Sequence, residues 1–309
     1  VTARRWAAVL GAACVVSSAA CHRGATPSGV AGTRAARPEL LVSTEWLARH
    51  AGDRDLVILQ VVASRAQYDS GHVPGARPVL LADVSTPNAP GQLTLQLPPV
   101  EQLAAWARAN GIGDRSRVVV VSHGEALQSA TRVVFTLAYL GLLDRTSLLD
   151  GPMALWRREG RPVSTEPPPV AAGVTFTPRP RPELVATLDD VERITASKSS
   201  VLIDARLPRF YEGDGGGYPR PGHIPTAVNV PLTAVADSGR IKPAGQLTRI
   251  FADAGVANGQ PLVTYCHIGQ QATLLWFVAT LVGRDVRLFD GSFQEWSGTA
   301  RLPVVRTEK

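Results

Sequence analysis

The sequence predicts an α/β protein made of two copies of one unit, each a mostly parallel sheet flanked by helices on both faces. Three observations predict it. Apolar strand-like runs alternate with helical patterns, and the runs are apolar at consecutive positions, as in strands covered on both sides. Landmarks of the first half recur, in order, in the second. Between the halves lies a stretch holding Pro162, Pro167, Pro168, Pro169, Pro178, Pro180 and Pro182, too rich in proline for regular structure. A length of 309 residues accommodates two domains, each with its own core.

The chain opens with Arg4 and Arg5, then an apolar run from Trp6 to Ala20 that is short for a membrane span. Residues 1–20 are similar to a bacterial secretory signal, and Ser18-Ala19-Ala20-Cys21 is similar to a lipoprotein processing site that lipidates Cys21. Ordinary cleavage after Ala20 is the alternative. Either way the expected location is the bacterial cell envelope, exported to the periplasmic side, with a lipid anchor at Cys21 on the first reading. Residues 21–37 are small and polar and read as a tether. The net charge is +6, or about +4 without Arg4 and Arg5. No basic run or basic helix stands out, which argues against nucleic acid as a partner. The mild positive excess favours small anions.

The first copy spans 38–161, the proline-rich linker 162–183, and the second copy 184–309. Leu41-Val42-Ser43-Thr44 and Leu184-Val185-Ala186-Thr187 begin the copies, each followed by a short helical pattern. Strands are expected at Leu56 to Leu59 and Val201 to Ile203. Gly71-His72-Val73-Pro74 then matches Gly222-His223-Ile224-Pro225. Strands at Val118 to Val121 and Leu262 to Tyr265 precede helices at Ala130 to Leu140 and Ala272 to Leu281. Leu149-Asp150-Gly151 and Phe289-Asp290-Gly291 close the copies, followed by Trp156 and Trp296. His72 and His223 recur in both copies, which favours a structural task at a turn.

Tyr265-Cys266-His267-Ile268-Gly269-Gln270-Gln271-Ala272 carries the chemistry. The cysteine sits where a strand ends and a helix begins. Backbone N–H groups in such a loop and the positive helix end favour an anion, and the thiolate is the nucleophilic form of cysteine. Of the three cysteines, Cys14 and Cys21 lie in the leader region, so the folded body holds the single thiol of Cys266. A carboxyl end of a parallel strand is also where open α/β sheets place their sites.

Asp204-Ala205-Arg206, Arg220-Pro221-Gly222-His223-Ile224-Pro225, Ala227-Val228-Asn229-Val230-Pro231, the loop from Cys266 and Asp290-Gly291-Ser292 before Trp296 together resemble the tandem rhodanese family, the thiosulfate and mercaptopyruvate sulfurtransferases. The resemblance covers nearly the whole chain after residue 38 and implies two rhodanese-like domains. It implies a catalytic second domain and a degenerate first one. The first copy has Ser122 opposite Cys266, Gln60 opposite Asp204 and Val62 opposite Arg206. The implied reaction moves a sulfane sulfur from thiosulfate, mercaptopyruvate or a persulfide, through a Cys266 persulfide, to cyanide or a thiol. The partners are therefore a small anionic donor and a thiol or cyanide acceptor. No cofactor is implied, and the protein is expected to be a monomer.

Substrate contact is expected from His267, Ile268, Gly269, Gln270 and Gln271, with backbone N–H groups around the sulfur anion and Gly269 allowing the turn. His267 is either a part-time cation for the donor or a neutral loop residue. The glutamines either orient a substrate oxygen or brace the loop. Asp204 and Arg206 form a strand-end pair that supports the loop, or Arg206 or Arg209 meets the substrate. Ala272 supports the loop as the helix begins. Family members that prefer thiosulfate carry Arg or Lys just after the cysteine, and this chain does not, which predicts weak use of thiosulfate.

Two other classes compete with this reading. Related-fold phosphatases use a cysteine, then five residues, then an Arg that grips phosphate; the position six after Cys266 is Ala272, which argues against them. A sulfur carrier or sensor of the envelope, with little or no turnover, also fits a lone accessible thiol. Metal binding is not expected, since no second Cys or His pair offers ligand spacing.

Overall fold

The two apolar strand runs nearest the repeated Gly-His turns lie in two separate parallel sheets, one per copy. The computed structural model describes residues 1–2, 34–167, 173–215 and 217–307. The leader from residue 3 on, Cys14, Cys21, the tether to residue 33, Pro168, Pro169 and Gly216 lie outside the described residues.

In the first copy the order is β1 (Leu41–Val42), α1 (Thr44–His50), β2 (Leu56–Val61), α2 (Arg65–Asp69), β3 (Arg77–Val79), α3 (Val100–Ala109), β4 (Arg117–Ser122), α4 (Leu127–Tyr139), β5 (Thr146–Leu149) and α5 (Met153–Arg158). The second copy runs β6 (Val185–Ala186), α6 (Leu188–Ser197), β7 (Val201–Asp204), α7 (Pro208–Glu212), β8 (Val228–Asn229), α8 (Leu232–Val235), β9 (Ala236–Asp237), β10 (Arg240–Ile241), α9 (Ala244–Asp253), β11 (Leu262–Tyr265), α10 (Ala272–Leu281), β12 (Val286–Phe289) and α11 (Ser292–Gly298). The sheet orders are β1-β5-β4-β2-β3 and β6-β12-β11-β7-β8, the same arrangement twice. All pairings within these two sheets are parallel. The central strand β11 is buried at every position, and β4 at every position after Arg117. Burial on both faces is why these strands read as unbroken apolar runs.

Register supports the equivalence of the copies. Gln60 pairs with Val121 in the first sheet, and Asp204 with Tyr265 in the second. One residue further along lie Ser122 and Cys266. The helix α4 begins at Leu127, ahead of the expected Ala130, and Leu127 lies one turn before Ala130 and Thr131 on the buried face. The edge strands β3 and β8 and the antiparallel hairpin β9–β10 were not legible, since none exceeds three residues.

The repeated landmarks make repeated contacts. Trp156 Nε1 donates to the Pro162 carbonyl at 2.7 Å, and Trp296 Nε1 to the Pro303 carbonyl at 2.8 Å. His72 bridges to Ser164, and His223 to Val305. The rings stack on Tyr68 and Tyr211, with centroids 3.7 and 3.8 Å apart. Both histidines thus fasten a turn to the chain that follows the last helix of their copy. The linker residues are tied down without regular structure at their ends: Arg179 N–H donates to the Leu140 carbonyl and Arg181 N–H to that of Tyr139.

The copies share one core. All ten residues of α10 are buried, as expected of a helix that is apolar all round. It packs on α4, with Phe135 edge-on to Trp276 at 4.9 Å and the hydroxyls of Thr131 and Thr273 2.9 Å apart. Each fully buried large side chain of this kind contributes ~1.5–3 kcal/mol. The polar centre of the same interface is Arg132, fully buried on α4, whose guanidinium grips the carboxylate of Asp290 in the second copy. Arg132 Nη2 also donates to the Leu95 carbonyl at 2.6 Å. Leu95 has a φ of +57°, a conformation that costs a side-chain-bearing residue ~1–3 kcal/mol. The contact with Arg132 and the neighbouring bonds hold it there.

Candidate active site

Cys266 follows β11 and precedes the N-terminus of α10, and it is fully buried. The backbone N–H groups of Ala272, Ile268 and Gln271 face its sulfur and favour the anion. Its own N–H points elsewhere, to Ser292 Oγ at 3.1 Å, and its carbonyl accepts from Phe293 N–H at 3.0 Å. Ser292 Oγ in turn donates to the Phe289 carbonyl at 2.8 Å. Ser292 has a φ of +53°, whereas the matching position of the first copy is Pro152, whose ring forbids that conformation. The serine therefore belongs to the copy that carries the thiol.

The loop curls through Gly269, at a φ of +84°. A Cβ there would lie 2.6 Å from the Asp290 carbonyl oxygen and 2.7 Å from its Oδ1, so only glycine fits. Asp290 is thus the wall on which the sulfur loop rests. The first copy holds that wall: besides Arg132, Leu97 N–H donates to Asp290 Oδ2 at 2.8 Å and Gln96 Nε2 to its carbonyl at 3.3 Å. Thr94 N–H donates to Gln294 Oε1 at 2.9 Å. A reciprocal contact runs the other way, from Arg240 of β10 to Asp150 at 2.8 Å.

Electrostatics at the sulfur set two effects against each other. The three N–H groups and the helix end favour the anion, but burial outweighs them and pushes the Cys266 thiol above the usual thiol range. The expected ready thiolate is therefore corrected: the resting, covered site favours the thiol.

Among the expected substrate residues, His267 is half-buried between Phe210 (ring centroids 4.8 Å, edge-on) and Tyr218 (5.8 Å, parallel). Burial, with the positive charge of Arg206 nearby, pushes its pKa down to about 4. The reading of His267 as a part-time cation is therefore corrected to a neutral imidazole near neutral pH. Arg206 is buried and locked: Nε and Nη2 both reach the Asp204 carboxylate (2.9 and 2.5 Å), Nη2 donates to the Gly222 carbonyl at 2.7 Å, and the guanidinium covers Phe293 at 4.1 Å. That favours the supporting role over substrate contact. Arg209 is exposed, with its guanidinium 4.4 Å from the Phe210 ring on which His267 also rests. Gln270 Nε2 crosses to Ser129 Oγ of the first copy at 2.9 Å, a brace. Gln271 Oε1 is buried without a hydrogen-bond partner. Ile268 and Ala272 contribute N–H groups to the sulfur.

Sequence reasoning missed Arg132 and Tyr218. An arginine within the otherwise apolar face of α4 was the available signal for the first. Among the described residues no group of three or more His, Cys, Asp or Glu side chains is placed to hold a metal ion. The first copy keeps a cleft of about 550 Å³ at its own strand ends, lined by Val61, Val62, Leu80, Ser122 and Ser129, with no thiol in it.

A duplicated parallel-sheet unit with one cysteine loop at a strand end defines a class, and comparison with known proteins agrees. A rhodanese-like domain profile matches residues 43–159 and 187–299. The chain belongs to the rhodanese-like family and carries the domain twice. It is 31% identical over 289 residues to the sulfur carrier protein TtuD of Thermus thermophilus, across 89% of this chain and 99% of that protein. It is 31% identical over 277 residues to the 3-mercaptopyruvate sulfurtransferase of Escherichia coli, across 85% and 96%. The crystal structure of the 3-mercaptopyruvate sulfotransferase SseA from Escherichia coli superimposes with a TM-score of 0.71 at 30% identity, covering 82% of this chain and 98% of that one.

A neutral His267 has a kinetic consequence. The ratio of the specificity constants for thiosulfate and glutathione persulfide is expected to stay flat between about pH 5 and 8, the range in which an ordinary His titrates. Steady-state kinetics with both donors at each pH checks this. A ratio that climbs towards thiosulfate as the pH falls through about 6.5 would show a titrating His267 facing the donor.

Proposed function

We propose that this protein is a sulfurtransferase that moves a sulfane sulfur from a small donor to a thiophilic acceptor through a persulfide on Cys266. The observation that carries the reading is the cysteine at the β11–α10 loop with three backbone N–H groups on its sulfur. Membership of the rhodanese-like family and the sulfurtransferase relative support it. In the first half-reaction the Cys266 thiolate attacks the outer sulfur of a donor such as a persulfide. The S–S bond of the donor breaks, its thiolate leaves with the electron pair, and Cys266 becomes a persulfide anion. In the second, cyanide or a thiolate attacks the outer sulfur, and Cys266 leaves as thiolate. A covalent enzyme form between two half-reactions gives ping-pong kinetics.

The N–H cradle serves the persulfide better than the thiol. The negative charge then sits on an outer sulfur that is a stronger acid, and fixed N–H dipoles in a buried site stabilise it without reorganisation. Weak use of thiosulfate belongs to the same proposal, since no fixed cation follows the cysteine in the loop 267–271. A second reading, a sulfur carrier that hands on one sulfur without turnover, is favoured by the likeness to the carrier protein of Thermus thermophilus.

Intact mass tests both. After incubation with glutathione persulfide, wild type is expected to gain one sulfur, and Cys266→Ser none. Repeated thiocyanate formation from cyanide marks the enzyme; one equivalent per protein marks the carrier. A Cys266→Ser variant with wild-type turnover would sink both readings.

Export with a lipid on Cys21 remains part of the proposal, resting on Arg4, Arg5, the apolar run to Ala20 and the small residues before Cys21. Expressed in a bacterial host, wild type is expected in the membrane fraction and Cys21→Ala is expected to be released or left unprocessed. Recovery of wild type wholly from the cytosol contradicts export.

A further inference from the structure

The second copy carries a segment that the first lacks, and its place bears on how the sulfur is held; the argument rests on the sulfurtransferase reading above. Arg206 and His223 lie seventeen positions apart, while their counterparts Val62 and His72 lie ten apart, so the second copy has a net seven extra residues here, and the added length follows α7. Gly213, Gly215 and Gly217 in this segment take φ values of +104°, +88° and +71°, a backbone open to glycine and strained for other residues. Both flanks are anchored. Tyr211 O–H donates to the Ala227 carbonyl at 2.7 Å. The Arg220 guanidinium donates to the carbonyls of Ser297, Thr299 and Leu302 at 2.5–3.0 Å. Between these anchors the one large side chain is that of Tyr218.

Tyr218 lies against the residue next to the nucleophile. Its O–H donates to the His267 carbonyl at 3.2 Å, and its ring meets Phe293 edge-on at 5.1 Å. Phe293 N–H in turn holds the Cys266 carbonyl. The phenol oxygen also lies 3.3 Å from His267 Nδ1. The His267 carbonyl accepts the Gln294 N–H at 3.0 Å as well, so the carbonyl keeps a partner when the phenol turns away. Apart from Gln271, whose Oε1 is buried without a partner, the other polar side chains near the sulfur are less free. Arg206 is locked on Asp204 and Gly222, Gln270 on Ser129, and His267 is neutral. Burial, and after it the negative charge of an ionised Cys266, pushes the Tyr218 phenol up to about 12, so it keeps its proton at any working pH.

We propose that Tyr218 is a catalytic residue: its O–H turns from the His267 carbonyl to the outer sulfur of the Cys266 persulfide and takes the place of a loop cation. No proton is transferred. The phenol shares its hydrogen with the anionic sulfur while the S–S bond forms on one side and the donor's thiolate leaves on the other. The donor enters with its outer sulfur ionised, and a neutral phenol suits that single negative charge better than the two of thiosulfate. The substrate class that follows is the persulfide of a low-molecular-weight thiol, ahead of dianionic thiosulfate.

Tyr218→Phe keeps the ring and removes the O–H, while Tyr218→Ala removes both. In single-turnover persulfide formation from glutathione persulfide, followed by intact mass, both variants are expected to slow by about 10-fold or more, the worth of one charge-assisted hydrogen bond. The final gain of one sulfur on Cys266 is expected to be unchanged. Wild-type rate in Tyr218→Phe with a loss confined to Tyr218→Ala would assign the ring a packing role and overturn the proposal. A wild type that never gains sulfur would overturn the sulfurtransferase reading along with it, whereas slow but complete loading of the variants separates the two.

Discussion

The ion pair between Arg132 and Asp290 is the contact on which the arrangement of the site depends. It joins the two copies at their centre, between α4 of the first and the turn after β12 of the second. Breaking such a buried pair on one side costs ~3–5 kcal/mol, because the remaining charge is left bare in a poor solvent. Here the remaining charge would be a carboxylate in contact with Gly269, inside the loop that must hold an anionic sulfur. The first copy, with Ser122 where a thiol would be, therefore acts on the chemistry at a distance. It neutralises Asp290 and fixes its position, and Asp290 fixes the curve that points the N–H groups of Ile268, Gln271 and Ala272 at the sulfur.

The site shows how a buried thiol and an anion cradle coexist. Burial favours the neutral thiol, and the cradle favours whatever negative charge arrives. On the proposed sulfurtransferase reading, the balance tips when the more acidic persulfide forms. The sulfur is buried, and beside its loop His267, Phe210, Tyr218 and Phe293 form an aromatic group whose members touch one another. The same surround desolvates His267 and removes it as a cation. A loop without Lys or Arg, a neutral histidine and a locked Arg206 thus describe one electrostatic design, in which dipoles rather than charges meet the sulfur.

Much of this was legible in the sequence because it is local. Buried parallel strands read as apolar runs, so β4, β7 and β11 were found, and the repeat placed Ser122 opposite Cys266 as the sheet register does. The tandem rhodanese resemblance rested on motifs that turn out to hold one another: Asp204 with Arg206, Arg220 with the chain after Trp296, and Asp290 against Gly269. What was not legible is long-range. Nothing in the spacing of Arg132 and Asp290, 158 residues apart, joins them. The charge state of His267 depends on Phe210 and Tyr218 closing over it, which composition cannot show. The choice between two roles for Arg206 needed its second bond, to the Gly222 carbonyl. Tyr218 was not legible, because its importance lies in what it touches.

The rate of Cys266 alkylation by iodoacetamide as a function of pH tests the central claim most directly, since it reads the charge around the sulfur without any choice of donor. The account predicts that Arg132→Met moves the inflection to higher pH and slows the reaction at neutral pH, and that adding Asp290→Asn to that variant restores most of the loss by removing the stranded charge. A profile for Arg132→Met that overlays wild type, or a double variant no better than the single one, would contradict it.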